Sequence, residues 1–322
     1  MHACTNNDYF KSLGGFIVFS DSNTCANELV SAIITTHNRK DMVQKAINSV
    51  LNQTYPNIEL LVVDDASDDD ARELLENLSK QKKFTYIYIP KAESKGGNYA
   101  RNLGIKNSKG KYVALLDDDD EWMPEKISMQ VEFLQNNTDC KMVSCLRMRE
   151  FDYERKVPQK ETEIIEGDIK QLVFAKIPFV TSTVLICRDS LSEVGLFDEN
   201  LSFWQEYELS IRLAQVSKLG YVHQHLCLYR IIKVDPNRLT NKLNGWEKAV
   251  EYIENKHKNI INQLPKDIYK KHQLVIARDG VMRATTVGDK KKLRSFLMMQ
   301  FKCEPTIKNF IKLILNKRNI RG

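Results

Sequence analysis

A short apolar run, Tyr112-Val113-Ala114-Leu115-Leu116, stops abruptly at Asp117, Asp118, Asp119 and Asp120. Few folds accommodate that junction. The run has the length and composition of a strand buried on both faces. Four adjacent carboxylates repel one another unless something positive sits among them. A divalent cation carrying a diphosphate meets that need, because hard cations take oxygen ligands and Mg²⁺ usually shares them with substrate phosphates. The same four residues also fit a solvated acidic turn, or a helix start with its acids at the positive end of the dipole.

The preceding chain narrows the choice. Leu29 to Thr35 is a β-branched apolar run and predicts a strand. Lys40 to Gln53 repeats Met42, Val43, Ala46, Ile47, Val50 and Leu51 at helical spacing. Ile58 to Val63 predicts a second strand, Arg72 to Lys80 a helix and Phe84 to Ile89 a third strand. Gly96-Gly97 opens a helix over Asn98 to Asn107, and Lys111 to Leu116 is the fourth strand. This βαβαβαβ order predicts an α/β fold with a parallel, doubly wound sheet. Ligands of such sheets bind beyond the carboxyl ends of the strands. The clusters Thr35–Arg39, Asp64–Ser67 and Asp117–Asp120 all fall there. The first turn lacks G-x-G-x-x-G, which argues against a dinucleotide dehydrogenase.

Further along, the pattern predicts helices over Pro124–Gln135, Gly167–Ala175 and Phe203–Gln215. It predicts strands over Lys141–Arg147 and Val180–Cys187 and extended chain over Tyr221–Ile232. Arg149 to Glu163 is polar and irregular and reads as a mobile loop. Beyond Asp235-Pro236-Asn237 the chain turns helical, basic and amphipathic, up to KNFIKLILNKRNIRG. That end suits a helix lying on a membrane surface, and equally one packing its apolar stripe on the body. Seven cysteines with no CxxC pair, several inside apolar runs, fit small core hydrophobes in a reducing compartment. No stretch approaches a membrane span, and the first residues do not read as a signal peptide. The net charge of +6 in 322 residues is mild, and no nucleic-acid motif accompanies it.

Three separated blocks resemble the inverting family 2 glycosyltransferases, in the same order. They are VSAIITTHNRKDMVQKAINSVLNQTYPNIELLVVDDASDD, GGNYARNLGIKNSKGKYVALLDDDDEW and VGLFDENLSFWQEYELSIRLA. The likeness covers about residues 29 to 232. It implies a GT-A fold: a Rossmann-like, mostly parallel sheet sandwiched by helices, here with a C-terminal helical appendage. The implied division is an N-terminal extension (1–28), a GT-A domain (29–235, nucleotide-binding to 120, acceptor and catalytic from 121) and a basic helical region (236–322).

The resemblance also implies roles. Thr35, His37, Asn38 and Arg39 fall at the first nucleotide-binding turn, with His37 where the family often has Tyr. Asp65 matches the carboxylate that accepts from the base ring N–H, and Asp64 reads as a turn cap. Arg101 matches a helix facing the donor. Asp117-Asp118-Asp119 matches the DxD motif, with Asp119 as ligand of Mn²⁺ or Mg²⁺ and Asp117 and Asp118 towards the nucleotide. Asp120 blurs that register by one residue. Gln205-Glu206 stands where many members have Glu-Asp, which makes Glu206 the general base and Glu208 its rival. Trp122, Trp204 and Gln205 are candidates for acceptor contacts, although such tryptophans are more often core. The implied activity is transfer from a UDP-hexose or UDP-N-acetylhexosamine to a glycan or lipid-linked glycan. The implied setting is the cytoplasm or, peripherally, the inner membrane face. The rivals are a degenerate nucleotide or glycan binder and a sugar-nucleotide nucleotidyltransferase, whose Gly-rich phosphate loop this chain lacks.

Overall fold

The computed structural model describes residues 27–82, 84–232 and 243–318. The predicted extension 1–28 lies almost wholly outside these residues, as do 236–242 and the last residues of the basic tail. The strands are β1 Val30–Thr36, β2 Ile58–Asp65, β3 Thr85–Ile89, β4 Tyr112–Asp117, β5 Glu121–Trp122, β6 Cys140–Phe151, β7 Arg155–Pro158, β8 Leu185–Cys187 and β9 Lys218–Ile231. The helices are α1 Lys40–Leu51, α2 Ala71–Lys82, α3 Gly97–Asn107, α4 Lys126–Asn136, α5 Leu172–Ala175, α6 Arg188–Val194, α7 Gln205–Val216, α8 Leu243–Lys256, α9 Lys258–Ile261, α10 Lys266–Thr286, α11 Lys290–Cys303 and α12 Ile307–Arg318.

One sheet runs β3-β2-β1-β4-β8-β6-β9-β5, with β7 paired to β6. Its first four strands are parallel. Beyond β4 the sheet is mixed: β8 is antiparallel to β4 and β6, β9 runs parallel to β6, and β5 lies antiparallel to β9. Period-2 alternation splits the core between the two faces. Val30, Ala32, Ile34, Tyr112, Ala114 and Leu116 pack with α1 and α4 residues on one side. Ile33, Leu61, Val63, Val113 and Leu115 pack with α3, α7 and the C-terminal helices on the other. Each buried Val, Leu or Ile side chain among them contributes roughly 1.5–3 kcal/mol.

Several sequence expectations change. Arg149–Glu163 is no irregular loop: β6 runs on to Phe151 and a turn at Asp152-Tyr153 returns it through β7. Polar composition misled there because a hairpin at the sheet rim needs few apolar residues. Gly167–Ala175 yields only the four-residue α5, since Gly167 adopts a φ of 81° and pairs with Leu219. The strand expected at Val180–Cys187 begins as a 3₁₀ turn, Thr181–Thr183.

The basic C-terminal helices share the core of the body. Leu243, Trp246, Ala249, Ile253, Ile268, Ile276 and Ala284 all join the cluster beneath α7. A Cβ on Gly280 would come within 2.5 Å of the Phe296 ring, so glycine sets how closely α10 and α11 approach. Among the described residues, no helix is long and apolar enough to cross a membrane.

Candidate active site

The carboxyl ends of β1, β2 and β4 open into a cavity of about 390 Å³. It is lined by Thr35, His37, Arg39, Asp65, Arg101, Asp117, Asp118 and Asp119 from the parallel half. Trp204, Gln205 and Glu206 line it from the start of α7. The parallel register explains the meeting, because Thr35 pairs with both Val63 and Asp117 and so brings three strand ends level.

At the end of β2 the two acids divide their work. Asp64 accepts from Ser67 N at 2.9 Å and from the Tyr86 hydroxyl at 2.9 Å, the turn-capping role expected of it. Asp65 is buried, and its Oδ1 has no hydrogen-bond partner. An unsatisfied buried carboxylate oxygen costs about 1–3 kcal/mol or more, so its place on the cavity wall suits a ligand N–H. His37 Nδ1 lies 2.6 Å from the Asp65 carbonyl, which orients the imidazole at the same wall. Asn38 does not line the cavity. Its φ of 53° lets its amide donate to Ser67 Oγ and its side chain accept from Asp68 N, tying the first two strand ends together.

The four aspartates have different surroundings. Asp117 is held by Arg101 at 2.7 Å and Asp118 by Arg39 at 2.8 Å, while Arg39 also reaches Asp119 at 3.2 Å. Asp120 is fully buried and accepts from Arg230 N at 2.9 Å. The Asp119 side chain is 27% exposed against 5% for Asp118. Burial, and then Asp118, push the Asp119 carboxyl up to about 7 against the pull of Arg39. A cation beside it would restore its charge. No group of three or more His, Cys, Asp or Glu forms a closed metal site among the described residues. Asp119 instead fits the open arrangement in which Mg²⁺ or Mn²⁺ takes one or two carboxylates and completes its shell from phosphate and water. Asp117, 30% exposed, and Asp119 are the two partly exposed acids of the four, while Asp118 and Asp120 are buried.

Arg101 reaches this acidic edge because Gly97 makes room for it: a Cβ there would lie 3.2 Å from the guanidinium. Asn98 and Asn102, one helical turn apart, flank it. Asn98 donates to the Asp198 and Leu201 carbonyls, both at 2.8 Å, and Asn102 to the Phe197 carbonyl at 2.9 Å. The helix that aims Arg101 therefore also fixes the loop leading into Glu206.

Glu206 stands in the first turn of α7, behind Trp204 in a left-handed conformation, φ 55° and ψ 32°. A bulky residue there is strained, and such strain concentrates at functional sites. Trp204 is clamped edge-on by Tyr207 and Trp246, with ring centroids at 5.1 and 5.5 Å. Burial pushes the Glu206 carboxyl above its ordinary range and Asp117 adds to this, while its own backbone amide and Arg101 pull the other way. The rival Glu208 faces away from the cavity, in an ion-pair cluster with Arg212, Lys256 and His257. Trp122 also lies off the cavity, its Nε1 donating to the Ser182 carbonyl at 2.8 Å and its ring under Lys126. Three further wall residues, Phe203, Arg230 and Arg283, have no signal in the sequence. Lone arginines in a strand and an amphipathic helix carry no pattern.

A parallel sheet half with a polar, acid-edged cavity at its carboxyl end defines an α/β protein whose candidate site lies where doubly wound sheets bind their ligands. The sequence model described as glycosyl transferase family 2 matches residues 31–195, and the chain belongs to that family. A glycosyltransferase of Rickettsia prowazekii named as uncharacterized is 34% identical over 233 residues, 68% of this chain and 69% of that protein. The GalNAc(5)-diNAcBac-PP-undecaprenol β-1,3-glucosyltransferase of Campylobacter jejuni is 27% identical over 225 residues, 70% of this chain and 72% of the relative. An Escherichia coli UDP-Glc:α-D-GlcNAc-diphosphoundecaprenol β-1,3-glucosyltransferase is 43% identical over 108 residues, 34% of this chain and 42% of the relative. The chain spans only 37% and 29% of the length of other rickettsial relatives. The fold is shared with a Pyrobaculum calidifontis mannosyltransferase solved with GDP-Man and Mn²⁺ (TM-score 0.59, 14% identity, 90% and 84% of the two chains). It is shared too with Staphylococcus aureus TarS 1-349 solved with UDP (TM-score 0.55, 14% identity, 86% and 92%). The expected GT-A fold is therefore borne out.

Proposed function

We propose that the chain is an inverting glycosyltransferase that moves a hexose or N-acetylhexosamine from a UDP-sugar to a sugar hydroxyl on a lipid diphosphate. One observation carries the reading. A buried, unpartnered Asp65 oxygen, an acidic edge at Asp119 and a half-buried Glu206 face one cavity in a family 2 chain. Asp65 accepts the ring N–H of uracil, with His37 and Thr35 beside it. Arg101 and Arg39 hold the acidic edge in register. Glu206 takes the proton of the acceptor hydroxyl as that oxygen attacks the anomeric carbon and the bond to the diphosphate breaks. One base acting on one face gives inversion, since retention by double displacement needs a second, nucleophilic carboxylate. A divalent cation held by Asp119 supplies charge stabilisation for the leaving diphosphate. The names of the Campylobacter and Escherichia relatives supply the acceptor class.

Thermal unfolding with UDP, GDP, dTDP or CDP, each with Mn²⁺, Mg²⁺ or EDTA, tests the donor side, because ligands that bind the native state raise its midpoint. A rise with UDP that disappears in EDTA is expected. No rise with any nucleotide would defeat the reading. The described C-terminal helices also favour peripheral contact with an anionic membrane. Residues 290–312 hold seven lysines and arginines and one acid, Glu304, with Lys292 paired to Glu247, and Ile307, Phe310, Ile311 and Leu315 of α12 are exposed. Sedimentation with phosphatidylglycerol vesicles, weakened by Phe310→Glu and absent with phosphatidylcholine, is the expected result. Equal binding to both lipids would remove the electrostatic argument.

A further inference from the structure

The long helix α10 lies outside the matched residues 31–195, yet it supplies a side chain to the cavity. Arg283 lines the wall together with Phe203 and Glu206. It is only 5% exposed. Its Nε donates to Asp279 Oδ2 at 3.1 Å, one turn earlier on the helix. Its guanidinium lies 5.5 Å from the Phe203 ring centroid and 5.3 Å from that of Trp246. A carboxylate and two aromatic rings thus fix the guanidinium at the cavity wall. Burying a charged side chain costs several kcal/mol unless it is well compensated, and arginine is the cation that tolerates such stacking.

The position matters as much as the charge. Arg283 and Glu206 line the same cavity, Glu206 from α7 and Arg283 from α10. All four arginines of the cavity also meet acids of the protein: Arg39 and Arg101 hold the aspartate edge, Arg230 holds Glu121 and Glu150, and Arg283 holds Asp279; Arg283 is the one that comes from α10. On a sugar attached to a diphosphate, the reacting hydroxyl and the anomeric phosphate lie at different edges of one ring. A site that reads both needs a cation beside its base, and the planar arginine fork matches a phosphate.

We infer that Arg283 binds a phosphate oxyanion of the acceptor, so that the C-terminal helices select acceptors carried on a lipid diphosphate. This rests on the proposed function, and it names the residue that reads the acceptor class. The same oxyanion chemistry is offered by the donor diphosphate, so the test must separate the two sources. The full chain, saturated with UDP and Mn²⁺, is titrated calorimetrically with farnesyl diphosphate and with farnesol. The wild-type chain is expected to bind farnesyl diphosphate and not farnesol. Arg283→Gln is expected to weaken farnesyl diphosphate at least tenfold, with UDP affinity within threefold of wild type. Arg283→Lys keeps the charge without the fork and is expected to recover part of that loss; should the glutamine variant fail to fold, the lysine variant alone must show a severalfold loss confined to farnesyl diphosphate.

Four results would overturn the inference: wild-type protein that binds UDP but not farnesyl diphosphate, farnesol bound as well as its diphosphate, variants that bind farnesyl diphosphate like wild type, or UDP weakened as much as farnesyl diphosphate. The last would place Arg283 on the donor. Wild-type protein that binds no nucleotide at all would defeat the proposed function first and this inference with it.

Discussion

Replacing Glu208 with glutamine separates the two carboxylates at the start of α7 by what each does. Glu208 is fully buried and accepts from Arg212 at 2.7 and 2.9 Å, from Lys256 at 2.8 Å and from His257 at 3.1 Å. Burial alone would raise its carboxyl, but the His257, Arg212 and Lys256 donors outweigh burial and hold it at about 2, against an ordinary value of 4.5. At ~1.36 kcal/mol per pH unit that difference stabilises the fold by about 3 kcal/mol at neutral pH. The contribution is complete above pH 4.5 and is lost as pH falls from 4.5 towards 2. Glutamine keeps the shape and removes the charge, leaving Arg212 with only its backbone carbonyl partners and Lys256 with Asp198. Urea unfolding followed by tryptophan fluorescence should therefore show Glu208→Gln destabilised by about 3 kcal/mol at pH 7. The gap to wild type should shrink by more than half near pH 3. Because Glu208 faces the cluster and not the cavity, the variant should keep most of its transfer rate well below its midpoint. A pH 7 gap under about 1 kcal/mol, or one that does not change on acidification, would refute the ion-pair account. Loss of turnover in protein shown to be folded would restore Glu208 as a candidate base.

Glu206→Gln should lower kcat by about a thousandfold or more, within the span assigned to general bases, while UDP affinity changes less than twofold; equal losses in both would make Glu206 a binding residue. The acid limb of the kcat/KM profile should lie above the ~4.3 of a free glutamate, because burial raises Glu206 and the base works only when ionised; a limb at or below that value would show that another group sets it. Asp65→Asn should weaken UDP by about ten- to a hundredfold, the loss of a charged hydrogen bond of about 1.5–3 kcal/mol, and leave the unfolding midpoint within a few degrees; calorimetry showing unchanged UDP affinity would remove the base-reading role.

The parallel half of the molecule was legible because its signals are local and repeated. Leu29–Thr35, Ile58–Val63 and Tyr112–Leu116 are apolar runs that end in polar residues, and in a parallel sheet those ends must lie together. Thr35, Asp65, Asp117 and Asp119 accordingly line one cavity. Asn38 and Trp122 carry the same kinds of side chain at neighbouring positions, yet they point into a turn and into the core. Side-chain direction at a strand end depends on φ values such as the 53° of Asn38, which no spacing encodes.

The wall that holds Glu206 depends on contacts distant in sequence. The strained Trp204 is kept in place by Trp246 of α8, and Arg283 of α10 lies against Phe203 and that same Trp246. In the sequence, Trp246 is one apolar position among many on an amphipathic helix, and Arg283 one of many basic residues. A stripe that packs on the body and a stripe that lies on a membrane have the same periodicity. The fold separates them: the buried stripe of α8 and α10 packs beneath the turn that carries Glu206, and the exposed stripe falls to α12. A truncation after α9 should therefore do more than detach a surface helix. Without Trp246's neighbours on α10 and α11, the left-handed turn at Trp204 loses part of its clamp, and Glu206 loses the wall it shares with Arg283. The C-terminal helices are in that sense part of the site, although nothing in their composition distinguishes them from an appendage.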